Sequence, residues 1–156
     1  MSNYVYTDVG HKISLLKERV REAVVMALRT GALKTESEAK RRLTNADPYP
    51  AVDTGRLRAS YHTEFRDGGL IALVGSNVKY APYIEHGTGP HTPPLKPLLE
   101  WVRRKMRIKN PSKGYAAARG LQRAIQQRGT PARPHLKPAF DIGVKVIKQA
   151  LRRVRL

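Results

Sequence analysis

The sequence predicts an α+β fold: N-terminal helices, a small antiparallel β-sheet with a hairpin, and C-terminal helices packed on it. Three observations point there. Apolar residues recur at three- and four-residue steps towards both ends of the chain. The period switches to two in the middle, around residues 59–66. A stretch rich in proline, residues 78–97, separates that middle from the C-terminal helices. At 156 residues the chain is expected to form a single domain, 1–156, with residues 1–11 as a flexible arm.

Taken in order, Ile13, Leu16, Val20, Ala23 and Ala27 form one apolar stripe, which predicts an amphipathic helix over residues 10–31. Gly31 weakens or kinks it. Thr35 and Glu38 stand at capping-box spacing and predict a second helix over 36–44. Asn45-Ala46-Asp47-Pro48 ends that helix. Next, Tyr61, Thr63 and Phe65 fall on one face of a strand, with Ser60, His62 and Glu64 on the other. Asp67-Gly68-Gly69 is a turn and residues 70–74 a second strand, so the pair reads as a β-hairpin.

Residues 78–97 form an irregular loop with a helical turn around 81–86. Thr92 is placed to cap a helix whose first turn takes Pro93 and Pro94, where missing N–H groups cost little. Leu95, Leu98, Leu99, Val102 and Met106 form its expected buried stripe, with Trp101 alongside. Tyr115, Ala118, Leu121 and Ile125 predict a helix over 114–128, ended by Gly129-Thr130-Pro131. The last helix, 137–154, has its stripe at Phe140, Val144, Ile147, Leu151 and Val154.

Charge is the outlier, with 30 Lys and Arg against 12 Asp and Glu, a formal +18. It is concentrated in residues 101–156, where 16 basic residues face only Asp141. Residues 1–100 hold 14 basic and 11 acidic residues. A field that lopsided attracts polyanions. The candidates for a surface facing DNA or an acidic partner are Arg103, Arg104, Lys105, Lys145, Lys148, Arg152 and Arg153. With no cysteine the chain has neither disulfides nor thiolate metal sites. No apolar run approaches the roughly 20 residues that span a bilayer, and the N-terminus lacks a secretory pattern. Synthesis in a cytosol is expected, with no membrane partner.

Chemistry finds little to work with. The five histidines are scattered, and Glu85-His86 followed by His91 lacks the helical pair of a zinc site. No metal and no cofactor are expected, and no enzyme. A basic nuclease would need one Glu–His couple, Glu64 with His62 or Glu85 with His86, and such pairs arise by chance. Contact with nucleic acid would run through phosphates and read no bases.

Three segments in order carry a resemblance. They are Val52-Asp53-Thr54-Gly55-Arg56-Leu57-Arg58-Ala59-Ser60, then Val74-Gly75-Ser76-Asn77 with Tyr80-Ala81-Pro82-Tyr83-Ile84-Glu85-His86-Gly87-Thr88, and finally residues 129–139, which include Arg133-Pro134-His135. From about residue 12 to the C-terminus the chain resembles the neck, or tail-completion, family of long-tailed bacteriophages, also called minor tail components. His86 and His135 stand where phenylalanine is common in that family, and residues 89–113 form a longer basic loop–helix insert.

The resemblance implies a structural virion protein at the head–tail junction, assembled in a host cytoplasm as a ring that lets DNA pass. Six-fold symmetry would match the tail and twelve-fold the portal. The implied partners are other copies of the chain, head-completion or connector proteins, tail-terminator proteins, and genomic double-stranded DNA without sequence specificity. A stand-alone basic nucleic-acid-binding protein of the nucleoid type is the alternative. Framework or interface roles are expected for Asp53, Thr54, Gly55, Arg56, Leu57, Tyr80, Tyr83, Glu85, Gly87, Thr88, Arg133 and Pro134. Asp53 and Thr54 are suited to bonding local backbone N–H groups. Arg56 and Arg58 are suited to pairing a carboxylate, with Glu85 a candidate, or a neighbouring subunit, and Tyr80 and Tyr83 suit a core edge or an interface.

Overall fold

A computed structural model describes residues 3–45 and 53–154. The expected helix stop at Ala46-Asp47-Pro48 lies outside the described residues, as do Val52 and the first two residues of the expected arm. The fold is α+β. In chain order it comprises α1 (Asn3–Thr44), α2 (Arg56–Ser60), β1 (His62–Arg66), β2 (Ile71–Gly75), α3 (Ala81–His86), α4 (Leu95–Lys105), α5 (Pro111–Arg128) and α6 (Leu136–Arg152). Two compact units emerge. One holds Met1–Lys40, Tyr61–Gly75 and Leu136–Leu156; the other holds Arg41–Ser60 and Ser76–His135.

In the first unit, the two expected N-terminal helices are one. The Thr35 hydroxyl does not cap; it donates back to the Gly31 carbonyl at 2.9 Å, one turn earlier, and so stays within a continuous helix. Gly31 is tolerated because its missing side chain is needed: a Cβ there would lie 2.8 Å from the Gly143 carbonyl and overlap Ile147. Gly143 reciprocates, since a Cβ on it would lie 2.7 Å from the Gly31 carbonyl and run into the Thr35 hydroxyl. Two facing glycines thus let α1 and α6 approach backbone to backbone.

The hairpin forms as an antiparallel pair, with His62 opposite Gly75 and Arg66 opposite Ile71. Its first strand is shorter than expected: residues 56–60 turn into α2, so Ser60 and Tyr61 precede β1 and are not part of it. A two-stranded hairpin is marginal on its own, and α1 supports this one. Glu36 is the bridge: one carboxylate oxygen accepts from Thr63 at 2.6 Å and the other from Lys40 at 2.6 Å. Burial raises the Glu36 pKa, but the bonds from Lys40 and Thr63 outweigh it and hold the carboxyl below its ordinary value. Arg29 on α1 sits 5.7 Å from the centre of the Phe65 ring, and Gly69 at the turn lies against Val25.

The second unit contains the helical hairpin of α4 and α5, which pack on one another. Pro94, not Thr92, stands at the N-cap of α4, and no side chain caps it. Helix α5 begins earlier than its apolar spacing predicts because the Asn110 side chain accepts from the Lys113 N–H at 3.1 Å, with Pro111 in the first turn. Its buried residues are Gly114, Ala118, Gln122 and Ile125.

Several apolar residues expected in the core are instead on the surface. Met106 and Tyr115 are each 51 % exposed and Phe140 is 58 % exposed, while Ile13, Leu16, Val20 and Leu151 are also exposed. The reason on α6 is geometric. Close approach to α1 selects the small residues, and Ala139 and Gly143 become the buried face. Of the large residues that the sequence assigns to the core on this helix, Phe140 and Leu151 are left outside, while Val144 and Ile147 are half-buried.

Candidate functional site

Residues 53–60, 76–88 and 129–135 of the three sequence segments meet in the second unit. The first joins the second through hydroxyls. Ser60 donates to the Leu57 carbonyl at 2.7 Å, so in its 2.6 Å contact with Ser76 it is the acceptor and Ser76 the donor. Ser76 in turn accepts from the Val78 N–H at 3.1 Å. This relay fixes the end of α2 against the chain that leads into α3.

The second and third segments are joined by a backbone clasp. Thr88 and Thr130 exchange N–H···O bonds of 3.0 and 3.1 Å, and their hydroxyls lie 2.8 Å apart. The Arg133 N–H donates to the Ile84 carbonyl at 2.8 Å. The clasp needs glycine on both sides. Gly87 (φ 73°, ψ −173°) and Gly129 (φ 72°, ψ −159°) both occupy a backbone region that is essentially closed to other residues. A Cβ on Gly87 would lie 2.5 Å from the Thr130 carbonyl oxygen, and one on Gly129 would overlap the Thr88 carbonyl.

Glu85 and His135 close the inner end. His135 is 1 % exposed and Glu85 9 %. One Glu85 oxygen accepts from the His135 backbone N–H at 2.8 Å and lies 3.0 Å from the ring Nδ1. That Nδ1 also lies 2.9 Å from the Arg133 carbonyl. Two acceptors converge on it, so Nδ1 carries a proton. Glu85 therefore engages His135 and not the expected Arg56 or Arg58; Arg58 instead donates to the Thr44 hydroxyl at 3.2 Å. Replacing Glu85 by alanine should cost about 1–3 kcal/mol in urea denaturation, because it strands the buried His135 backbone N–H and leaves Nδ1 with the Arg133 carbonyl as its one acceptor of the two. Glu85→Gln, which keeps an oxygen for the His135 N–H, should recover part of that loss. Equal stability of the two variants would show that the pair carries no weight.

The remaining predicted residues divide by unit and by exposure. Leu57 is buried at 5 % and Gly55 adopts φ +80°. Thr54 accepts a long 3.5 Å bond from the Arg56 N–H, as expected of it. Asp53 is different: it takes the Arg104 guanidinium in a two-pronged pair at 2.6 and 3.2 Å, 51 residues away in sequence. Tyr80 and Tyr83 are 41 % and 61 % exposed, which puts both rings at the surface. Arg56 and Pro134 are exposed and Arg133 is half-buried. Arg103, Arg104 and Lys105 are exposed in the second unit, and Lys145, Lys148, Arg152 and Arg153 are exposed in the first.

The two nominated Glu–His couples each have a carboxylate engaged by another residue. Glu85 turns to His135, and the exposed Glu64 is held by Arg66 at 2.8 and 3.1 Å, which lowers its pKa. Among the described residues no group of three His, Asp or Glu is placed to hold a metal ion, and no helix is long and apolar enough to cross a membrane. In the first unit, α1 and the hairpin line an open apolar groove of about 420 Å³, formed by Leu16, Val20, Val24 and Leu70 with the stems of Lys17 and Arg21.

Sequence reasoning missed the Ser60–Ser76 relay, the Glu85–His135 pair and the facing glycines of α1 and α6. Only the last left a signal, a glycine in the middle of an otherwise strong apolar stripe. Comparison with known proteins gives one match: residues 8–87 fit the family described as "Bacteriophage HK97-gp10, putative tail-component". The matched stretch includes the first segment and the second as far as Gly87, and ends before Thr88 and the third segment. No curated protein and no solved structure matches the chain significantly.

Proposed function

The chain belongs to the HK97-gp10-like family of bacteriophage tail components, and on that premise we propose that it is a neck subunit whose copies close into a ring where the tail meets the DNA-filled head. Membership makes it a structural protein of the phage particle. The ring, its place at the junction, and head-completion and tail-terminator proteins as its axial neighbours are our reading. We take six-fold symmetry, with twelve-fold as the alternative.

One observation supports assembly above the rest. Large apolar side chains stand exposed in a chain with a well-buried framework: Ile13, Leu16 and Val20 on α1, Ile71 and Leu73 on β2, and Phe140 and Leu151 on α6. Monomeric proteins scatter such residues singly, whereas rows along several elements mark surfaces that another protein covers. The nucleoid-type alternative leaves these rows unexplained.

Mass measurement of the purified protein and imaging of virions test the proposal. A six- or twelve-copy ring at the neck is the expected result, and absence of the protein from particles sinks it. Phe140→Asp adds a sharper expectation. At an exposed position it should change monomer stability by only about 0.5 kcal/mol, yet it should abolish assembly. A ring that forms unimpaired from the Phe140→Asp variant would remove α6 from the interface.

A further inference from the structure

We propose that the α4–α5 hairpin is a duplex-DNA contact that grips phosphates without reading sequence. The proposal uses the neck reading only to say where the DNA comes from, a genome in transit. The binding itself belongs to this chain and is testable apart from any ring.

The hairpin lies beyond residue 87, outside the stretch that matches the family. Residues 95–128 contain ten Lys and Arg against one acid, Glu100, and all ten basic side chains are exposed. On α5 the buried residues Gly114, Ala118, Gln122 and Ile125 define the inward face. At about 100° per residue, Lys113, Arg119 and Arg123 all fall within the opposite half-turn. The link between the helices adds Arg107 and Lys109.

Little of this charge is neutralised. Among the described residues Asp53 and Glu100 both pair with Arg104. Among the described residues Arg103, Arg107, Lys113 and Arg123 have no carboxylate partner. Arg119 donates only to Gln122, a neutral amide, at 2.8 Å.

Composition decides which polyanion. A protein interface has an apolar centre with charge at its rim, whereas a DNA interface is polar and strongly positive. The exposed hairpin surface carries only Met106 and Tyr115 as large apolar residues. The basic residues of α6 have a more apolar setting, because its 17 residues carry as many exposed large apolar side chains, Phe140 and Leu151, as the whole two-helix hairpin. That makes α6 a protein-facing surface and leaves the hairpin for nucleic acid. Helix α5, with 18 residues, is about 27 Å long, or about eight base-pair rises. Small exposed residues along it, Ser112, Ala116 and Gly120, let a phosphate backbone come close.

Fluorescence anisotropy with a labelled duplex of about 30 base pairs tests this on the full chain. With about five phosphates contacted, affinity should fall about 500-fold between about 50 and 200 mM NaCl, equally for two unrelated sequences. Replacing Arg103, Arg107, Lys113, Arg119 and Arg123 by glutamine should cost more than about 30-fold in affinity and flatten the salt slope by about 3 or more. The control Lys145→Gln, Lys148→Gln, Arg152→Gln should lose several-fold less. Equal losses in the two variants would mean diffuse charge and overturn the proposal. So would binding to an acidic polypeptide in preference to DNA. Should the five-fold variant misfold, hydrogen exchange on the unaltered protein decides: protection by DNA must map to residues 95–128, and protection confined elsewhere refutes the assignment.

Discussion

Gly129→Ala should destabilise the protein by about 3–5 kcal/mol in urea or thermal unfolding. Two costs add. At φ 72° and ψ −159° an L-residue carries about 1–3 kcal/mol of backbone strain. The new Cβ would also run into the Thr88 carbonyl and lie 2.7 Å from the Gly89 carbonyl carbon, and backbone cannot rotate aside as a side chain can. Relief requires the two segments to separate, which breaks the paired Thr88 and Thr130 bonds, each worth about 0.5–1.5 kcal/mol. Gly120→Ala is the matched control. It lies on the exposed face of α5 with open space where a Cβ would go, and should stabilise by about 0.5–1 kcal/mol through helix propensity. If the two substitutions gave effects of the same sign, the clasp would not be what joins the two segments.

Gly143→Val should cost about 3 kcal/mol or more, by a different route. The backbone of α6 is ordinary helix there, so no strain in φ is involved. What fails is distance. Even the first carbon would lie 2.7 Å from the Gly31 carbonyl and overlap the Thr35 hydroxyl, which is itself held by its bond to Gly31. A branched side chain forces α6 away from α1 and uncovers Ala139 and Ala32, both now buried. An unfolding midpoint in urea within error of the unaltered protein would refute the close approach.

The two substitutions also mark where sequence reasoning stopped. Period-two spacing over Tyr61, Thr63 and Phe65, followed by Asp67-Gly68-Gly69, specified the hairpin because alternation and turn chemistry are local properties. The end of α5 at Gly129 was legible for the same reason. Gly31 and Thr35 misled, since both are ambiguous locally. A glycine weakens an isolated helix, and a threonine before Glu38 matches a cap. Whether the helix continues depends on what packs there, and Gly143 lies 112 positions away from Gly31. Phe140 and Leu151 misled differently. Their spacing proclaims an apolar stripe, but spacing carries no statement of which neighbour covers it. In this chain the closest helix contact took Ala139 and Gly143 instead, and the large residues remain exposed.

Among the candidate site residues, the sequence marked Glu85, Gly87, Thr88 and Arg133 as framework without saying what each meets. Opposite charge nominates an arginine for Glu85, because sequence carries no information on which distant segment lies beside it. The structure gives it a histidine and a backbone N–H, a pairing that depends on two segments 50 residues apart lying side by side. Asp53 likewise reaches Arg104 and not its own neighbours.

By itself the sequence determined the α+β class, the hairpin, the concentration of charge after residue 100, and a family resemblance that the match over residues 8–87 establishes. All of these rest on composition, on short-range periodicity or on residues adjacent in the chain. Only the tertiary structure decided that α1 runs unbroken, that Glu85 and His135 share a buried bond, and which apolar stripes stay uncovered. Those outcomes depend on carbonyls, hydroxyls and side chains brought to within about 3 Å across long sequence separations, where hydrogen bonding and steric overlap act and periodicity has no reach.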